Sequence, residues 1–392
     1  MSVATERARI LAQRIVADAV ADTPWRVAFT PRPQGALSLS GGRAGHAYLY
    51  TELGRLCAGD SWFDAAESAL ADAVAALPTV EGSLYPGIAG FALSAARFHA
   101  VTGRGAKLRD ALLRAVVEFA DRIFAGRSFS VVSYFAKYEL IAGVSGVHLA
   151  AARLELRELT ELSRRYLRWY AAYPALHAIP VADDTTGAVN IGMSHGLAGM
   201  LAVLAITDDV AECAAEVLPL ARALASTARR PEGLPRWDYY HRGAAAFRPA
   251  RSAWCYGNPG IAAALALVGE RYQAPDLVAL ACEALDAVIA LDRRAWALSD
   301  DAICHGTAGV ALCFETVGRV ARDERLVTFA HELLEETAAR YDSTVPFGYR
   351  AEVRGIQYDD GSLLTGTCGI ALAQLSAEPS FDRDLLNVFG LR

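Results

Sequence analysis

The 392-residue chain predicts an all-α fold, a double-layered α/α barrel of seven inner and seven outer helices, and three observations lead there. The motif Gly-x-x-Gly occurs seven times, starting at Gly42, Gly87, Gly143, Gly196, Gly257, Gly306 and Gly366, at spacings of 45, 56, 53, 61, 49 and 60 residues. One such motif carries no information, but recurrence along a whole chain marks a repeat architecture. After each pair of glycines runs a segment apolar on nearly every face, and before the next pair runs a helix with one charged face. No β-rich block and no long low-complexity linker intervenes, so residues 1–392 read as a single domain.

The opening stretch, "MSVATERARILAQRIVADAV", mixes charges throughout and has no uninterrupted apolar block. It reads as an amphipathic helix and not as a signal peptide, which points to the cytoplasm. The inner helices are carried by segments such as "FALSAARFHA", "MLAVLAI", "IAAALALV" and "VALCFETV", which suit helices with neighbours on every side. The outer helices are read from "SWFDAAESALADAVAAL", "KLRDALLRAVVEFADRIF", "LRELTELSRRYLRWY", "APDLVALACEALDAVIAL" and "RLVTFAHELLEETAARY", where apolar and charged positions alternate with helical period. The glycines, lacking Cβ atoms, let the start of each inner helix approach its neighbours. Residues 229–251 and 343–361 hold Pro, Gly and aromatics and read as loops, where recognition concentrates.

A hydrophobic fraction of 53% with a positive mean hydropathy demands many segments buried on more than one side, as a multilayered helical body provides. No apolar run reaches the roughly 18 residues of a membrane span, so no span is expected. A formal net charge of −6 with scattered Lys and Arg offers no basic stripe to neutralise phosphates, which argues against nucleic acid as a partner. Seven cysteines, an odd number without framework spacing, read as free thiols or metal ligands and not as disulfides.

Counted from the first glycine of each motif, Cys255 in "WCYGNPG" and Cys304 in "CHGTAG" stand two residues before it, and His305 and the His195 of "SHGLAG" stand one before. Equivalent positions of a closed barrel lie at one end, at inner-helix N-termini. Cys255, Cys304 and His305 are therefore candidate Zn²⁺ ligands: thiolate and imidazole suit zinc, and three protein ligands leave a fourth position open for chemistry. The helix N-termini favour the thiolate form. Cys57, Cys213, Cys282 and Cys313 read as small core residues, and Cys368, inside its own motif, stays outside the ligand set. His46, His99, His148, His177, His241 and His331 are off register or in other segments and read as solvated or hydrogen-bonded.

At "SHGLAG", "RSAWCYGNPG" and "ICHGTAG" the chain resembles the lanthionine synthetase C-like family, the lanthipeptide cyclases, and the resemblance runs through all seven motifs. It implies an α/α toroid, zinc held by Cys255, Cys304 and His305, and His195 as the catalytic acid/base. Arg251, four residues before Cys255, matches an arginine that helps to hold the reacting centre. Where the family often has an aspartate four residues before the third motif, this chain has Glu139, a carboxylate with one methylene more of reach. Tyr256, beside Cys255, either donates a hydrogen bond to the site or packs at the helix start.

The reaction implied adds a cysteine thiol of a dehydrated precursor peptide to a dehydroalanine or dehydrobutyrine of that peptide, closing a thioether ring. Dehydratase or kinase/lyase components are the further partners it implies. A free thiol, with a pKa of about 8.5, is mostly protonated at neutral pH, whereas a zinc-bound one is deprotonated. Attack on the β-carbon yields an enolate whose charge Arg251 could offset and whose α-carbon His195 could protonate. Three other readings stand beside this one. They are a glutathione-binding relative that adds this external thiol to dehydrated residues, a catalytically idle peptide-binding scaffold, and a zinc-dependent prenyl or terpenoid enzyme. The last is opposed by the lack of an aspartate-rich diphosphate motif.

Overall fold

The computed structural model describes residues 2–20, 38–74, 82–124, 138–172, 188–208, 211–241, 248–353 and 355–392. They fall into two compact units woven from separate stretches of the chain. The first comprises Met1–Arg122, Ser299–Gly309 and Glu332–Arg383, and the second Ile123–Leu298, Val310–His331 and Asp384–Arg392.

After an N-terminal helix α1 (Val3–Val20), the seven motifs open α2 (Arg43–Cys57), α4 (Ile88–Thr102), α6 (Val144–Arg153), α8 (Leu197–Thr207), α10 (Asn258–Arg271), α12 (Thr307–Ala321) and α14 (Thr367–Leu375). Between them lie α3 (Asp60–Val74), α5 (Ala106–Phe124), α7 (Arg157–Ala171), α9 (Ala214–Ser226), α11 (Pro275–Ile289) and α13 (Glu324–Ala339). The motif helices are buried nearly all round: α8 hides every residue from Leu197 to Ala205, and α10 every residue from Asn258 to Gly269. At roughly 1.5–3 kcal/mol for each large aliphatic side chain removed from water, they are the main source of cohesion. The intervening helices bury one stripe, as α7 does with Leu159, Ser163, Tyr166, Leu167 and Tyr170, the spacing of a single helix face.

This difference in burial sorts the helices into two layers within each unit. In the first, α2 packs on α4 and α14 and also on its amphipathic partner α3; in the second, α8 packs on α6 and α10 and also on α9. The seventh outer helix comes from the other end of the chain. A 3-10 turn, Arg383–Phe389, and no long amphipathic helix, follows α14, and α1 packs against α14 and α2 instead. The backbone N–H and the hydroxyl of Thr5 donate to Glu378 at 3.0 and 2.7 Å and fasten the start of α1 there.

The second glycine of the motif has a steric role. A Cβ on Gly90, Gly199, Gly260 or Gly369 would fall onto the carbonyl oxygen of Leu84, Met193, Trp254 or Leu363, in each case the residue six positions earlier. Any side chain there would push the preceding loop off the helix it introduces.

Residues 343–361 differ from the loop expected. Two short strands pair elsewhere, β1 (Val189–Asn190) with β2 (Tyr240–His241), but here β3 (Arg350–Val353) and β4 (Ile356–Asp359) form a full antiparallel hairpin with Ala351 opposite Tyr358. Gly355, with φ of 79°, supplies the left-handed residue that the tight turn needs. The strands carry too many charges for their alternation to stand out in the sequence. Among the described residues no helix is long and apolar enough to cross a membrane.

Candidate metal and catalytic centre

Within each unit the loops that introduce the motif helices are stitched by backbone hydrogen bonds, and the stitch is made by the residue two before the first glycine. In the first unit Cys304 N–H donates to the Leu364 carbonyl (2.9 Å), Leu364 N–H to that of Ser40 (3.0 Å) and Ser40 N–H to that of Tyr85 (3.3 Å). In the second, Ser194 N–H donates to the Cys255 carbonyl at 3.4 Å, and Met193 N–H at 3.0 Å. Cys255 and Cys304 therefore stand at the same register position of the stitch, Cys255 accepting from the preceding motif's loop and Cys304 donating to the following one's, each in its own unit. Gly192 makes this approach possible in the second, since a Cβ there would strike the Cys255 carbonyl and the Tyr256 ring.

His195 is the residue before Gly196, which caps α8. Its Nδ1–H donates to Glu139 Oε2 at 2.9 Å. Glu139 is buried, with 5% of its side chain exposed, while the imidazole is 52% exposed. The carboxylate also accepts the N–H groups of Ile141 (2.9 Å) and Ala142 (2.7 Å), so the start of its own loop holds it in place. With Nδ1 turned to the carboxylate, Nε2 is the ring atom left to exchange a proton.

Arg251 and Tyr256 meet through a third residue. The backbone N–H and Nε of Arg251 both donate to the Tyr239 hydroxyl at 3.3 Å, and the rings of Tyr239 and Tyr256 lie 5.1 Å apart. Asn190 Nδ2 donates to the Tyr256 hydroxyl at 2.9 Å. Burial pushes that hydroxyl above its ordinary pKa, against the opposing pull of Asn190, so it stays protonated. Cys255 itself is buried just ahead of α10.

In the first unit, His305 Nδ1 lies 3.0 Å from Asp300 Oδ2 and 3.3 Å from the Ser299 hydroxyl. The Asp300 side chain is 1% exposed and that of His305 12%. A ring that donates through Nδ1 offers Nε2 for coordination, which is how protein carboxylates prepare metal-binding histidines. Among the described residues no three His, Cys, Asp or Glu side chains are grouped to hold a metal ion. The expectation of zinc at Cys255, Cys304 and His305 therefore rests on their shared register and on how each donor is set locally.

Of the side chains left outside the ligand set, Cys57 and Cys282 are half-buried and not the core residues expected, because each lies on the part-exposed side of its helix. His331 has a buried Nε2 with no partner among the described residues. The others are placed by burial or hydrogen bonds. Cys368 is fully buried on α14, its Sγ 3.4 Å from the Gly45 carbonyl, and burial pushes its thiol well up. Burial likewise raises Cys213 to about 12, and Cys313 lies in the core. His46 Nε2 bonds the Gly361 carbonyl at 3.1 Å, His99 Nδ1 that of Arg104 at 2.9 Å, and His148 sits between the hydroxyls of Ser163 (2.8 Å) and Thr207 (3.0 Å). His177 lies outside the described residues.

Three residues passed over in the sequence share one register, six positions before the first glycine: Asn190, Asp300 and Asp360. Each closes an Asx turn, accepting the N–H two residues on: Gly192 (3.0 Å), Ala302 (3.0 Å) and Ser362 (2.8 Å) respectively. The other end of the side chain is then aimed onward, from Asn190 to Tyr256, from Asp300 to His305 and from Asp360 to the Thr365 hydroxyl. Arg251 holds this register in the fifth motif. A recurring Asn or Asp at constant offset was the available signal.

The chain matches the family model described as "Lanthionine synthetase C-like protein" over residues 33–388. No curated protein matches it. Among solved structures it is similar to "Nisin cyclase", at 20% sequence identity and a TM-score of 0.75 over 97% of each chain. That likeness shows the fold, an α/α toroid, the class expected from the repeats. With the family model covering most of its length, the chain belongs to the lanthionine synthetase C-like family.

Proposed function

We propose that this protein is a zinc-dependent lanthipeptide cyclase, which adds a cysteine thiol of a dehydrated precursor peptide to a dehydroalanine or dehydrobutyrine of the same peptide. The observation that carries this reading is the pairing of His195 with Glu139. An exposed imidazole locked through Nδ1 by a buried carboxylate, on the loop that bonds to Cys255, is the arrangement a proton carrier beside a thiol site needs. Family membership and the likeness to a nisin cyclase favour ring closure over other thiol chemistry.

Two thiols and an imidazole are a donor set that suits zinc, and the Asp300 contact on Nδ1 favours the tautomer whose lone pair is on His305 Nε2. Cys255, Cys304 and His305 would hold the ion. When bound, it would supply a deprotonated substrate thiol at neutral pH. The remaining steps fall to the protein's own groups. As the sulfur joins the β-carbon, negative charge moves onto the peptide carbonyl of the acceptor residue, where the Arg251 guanidinium offsets it. Protonated Tyr256 is a second donor for that charge. His195 Nε2 takes up the proton that the thiol gives up and then delivers it to the α-carbon, and Glu139 keeps the ring turned for this transfer. The thiol loses one proton and the α-carbon gains one, so the addition balances without a co-reactant. On this reading a dehydratase or a kinase/lyase pair prepares the substrate, and the reaction takes place in the cytoplasm.

Ring closure leaves the mass of the peptide unchanged but consumes its thiol. Alkylation followed by mass spectrometry therefore counts rings in a dehydrated precursor incubated with the purified protein. Full alkylation after incubation would refute the proposal. A glutathione adduct on the dehydrated residue in place of a ring would favour a ligase for an external thiol.

A further inference from the structure

The β3–β4 hairpin, which the reaction outlined above does not use, is fastened to the loop that carries Cys304. Glu352 N–H reaches Asp300 Oδ2 at 3.5 Å, the oxygen that also faces His305. A few residues beyond β4, the Leu364 carbonyl accepts the N–H of Cys304. Tyr358 stands on β4 opposite Ala351, between these two anchors.

The hydroxyl of Tyr358 is shut off from solvent and has no hydrogen-bond partner among the described residues. Folded proteins rarely leave a buried donor in this state, and those they leave call for an explanation. The two carboxylates nearby are already engaged. Asp300 accepts from Ala302 and His305, and Asp360 from Ser362 and Thr365. Burial, and then the proximity of Asp360, Asp300 and Cys304, push the hydroxyl above its ordinary pKa, so it keeps its proton and has a donor to place. Of these three neighbours, only Cys304 gains acceptor strength when a metal binds, because a thiol is a weak acceptor and a thiolate ligand a strong one.

We propose that the Tyr358 hydroxyl is a positioning donor to the Cys304 sulfur in the metal-loaded protein, holding the hairpin against the ligand loop. The proposal rests on the reading of Cys304 as a zinc ligand. With the ion in place the hydroxyl completes the surroundings of the sulfur.

Tyr358→Phe removes one oxygen and keeps the ring. Its metal-free form is expected to melt at the wild-type temperature or above, because an unsatisfied buried hydroxyl contributes nothing to folding. Its zinc affinity, read by chelator competition, should fall roughly tenfold or more, and with cobalt in place of zinc the thiolate-to-metal charge-transfer band should shift. Unchanged affinity and an unchanged cobalt band would overturn the proposal, as would a lower melting point of the metal-free variant, which would give the hydroxyl a structural partner. Zinc content and ring closure of the wild type and of Cys304→Ala are measured alongside. If Cys304→Ala keeps wild-type zinc, the metal reading fails and this proposal with it. If Cys304 is needed for zinc and Tyr358→Phe matches wild type, only the role of Tyr358 falls.

Discussion

Glu139 Oε2 and His195 Nδ1 stand 2.9 Å apart, the carboxylate buried and the imidazole half exposed. The extra methylene of glutamate, relative to the aspartate common in the family, does not break the pair, because the N–H groups of Ile141 and Ala142 hold the carboxylate at the right depth. Glu139→Gln presents an amide that can donate to Nδ1 and so reverse the tautomer. Ring closure is expected to slow about tenfold to a hundredfold with zinc content unchanged. A rate equal to wild type would separate Glu139 from the chemistry.

His195→Asn removes the proton carrier and keeps a polar side chain at the head of α8. Loss of general acid–base assistance typically costs about 10²–10⁴-fold in rate, and the variant should keep its fold and its zinc. Metal analysis beside the alkylation assay separates the cases. Zinc lost with the imidazole would make His195 a ligand, and undiminished ring closure would make it structural.

Cys304 and Cys368 both precede or open a motif helix, yet they should behave oppositely towards metal. Cys304 stands at the register position of the stitch where Cys255 also stands, whereas Cys368 points at the Gly45 carbonyl inside the α2–α14 contact. Cys304→Ala is expected to lose zinc. Cys368→Ala should keep it and lose only about 1 kcal/mol of stability for the small cavity. The reverse pattern would show that the repeats had been aligned in the wrong register.

The parts of this protein legible in its sequence are those set by local backbone demands. Gly90, Gly199, Gly260 and Gly369 each sit where a Cβ would meet a carbonyl six residues back, and a steric requirement met repeatedly leaves a period in the chain. The links made by Cys255 and Cys304 follow from the same period. What could not be read depends on where distant segments meet. That α1 covers α14 is decided by packing across the chain and by Thr5 reaching Glu378. The β3–β4 hairpin was hidden because "RAEV" and "IQYD" mix charge with apolar residues. Asp300 was missed because an Asp in a loop is commonplace, and only its turn aims the second oxygen at His305.

Stability should fall on mild acidification, with His148 as one identifiable cause. Burial, with Arg164 adding to it, holds the ring at about 4, although the ordinary value is 6.5 and Asp208 opposes the shift. Between these values the unfolded chain binds a proton that the folded one refuses. The contribution is therefore complete above pH 6.5 and is lost as pH falls towards 4, at up to about 1.4 kcal/mol per pH unit. His148→Gln keeps groups able to bond Ser163 and Thr207. Its unfolding free energy should vary less steeply with pH between 7 and 5 than that of wild type, and equal slopes in urea titrations would exclude His148 as the source.

Asp300→Asn tests the preparation of His305 for metal without disturbing the loop. Asn190, in the same register six residues before its motif, already shows that an amide supports this turn, its Oδ1 accepting the Gly192 N–H at 3.0 Å. The variant should therefore keep the Ala302 contact, lose only the long Glu352 N–H contact to Oδ2, and melt close to the wild-type temperature. It loses the carboxylate that faces His305 Nδ1 at 3.0 Å, so the ring is no longer held with Nε2 presented and the ligand becomes less basic. Removing such a partner typically weakens metal binding about 10–100-fold. Asp300→Ala should lose zinc affinity and stability together, because the turn goes as well. Chelator competition and thermal melts on the two variants distinguish the roles. If Asp300→Asn binds zinc as tightly as wild type, the carboxylate serves the turn alone and His305 is held by other means.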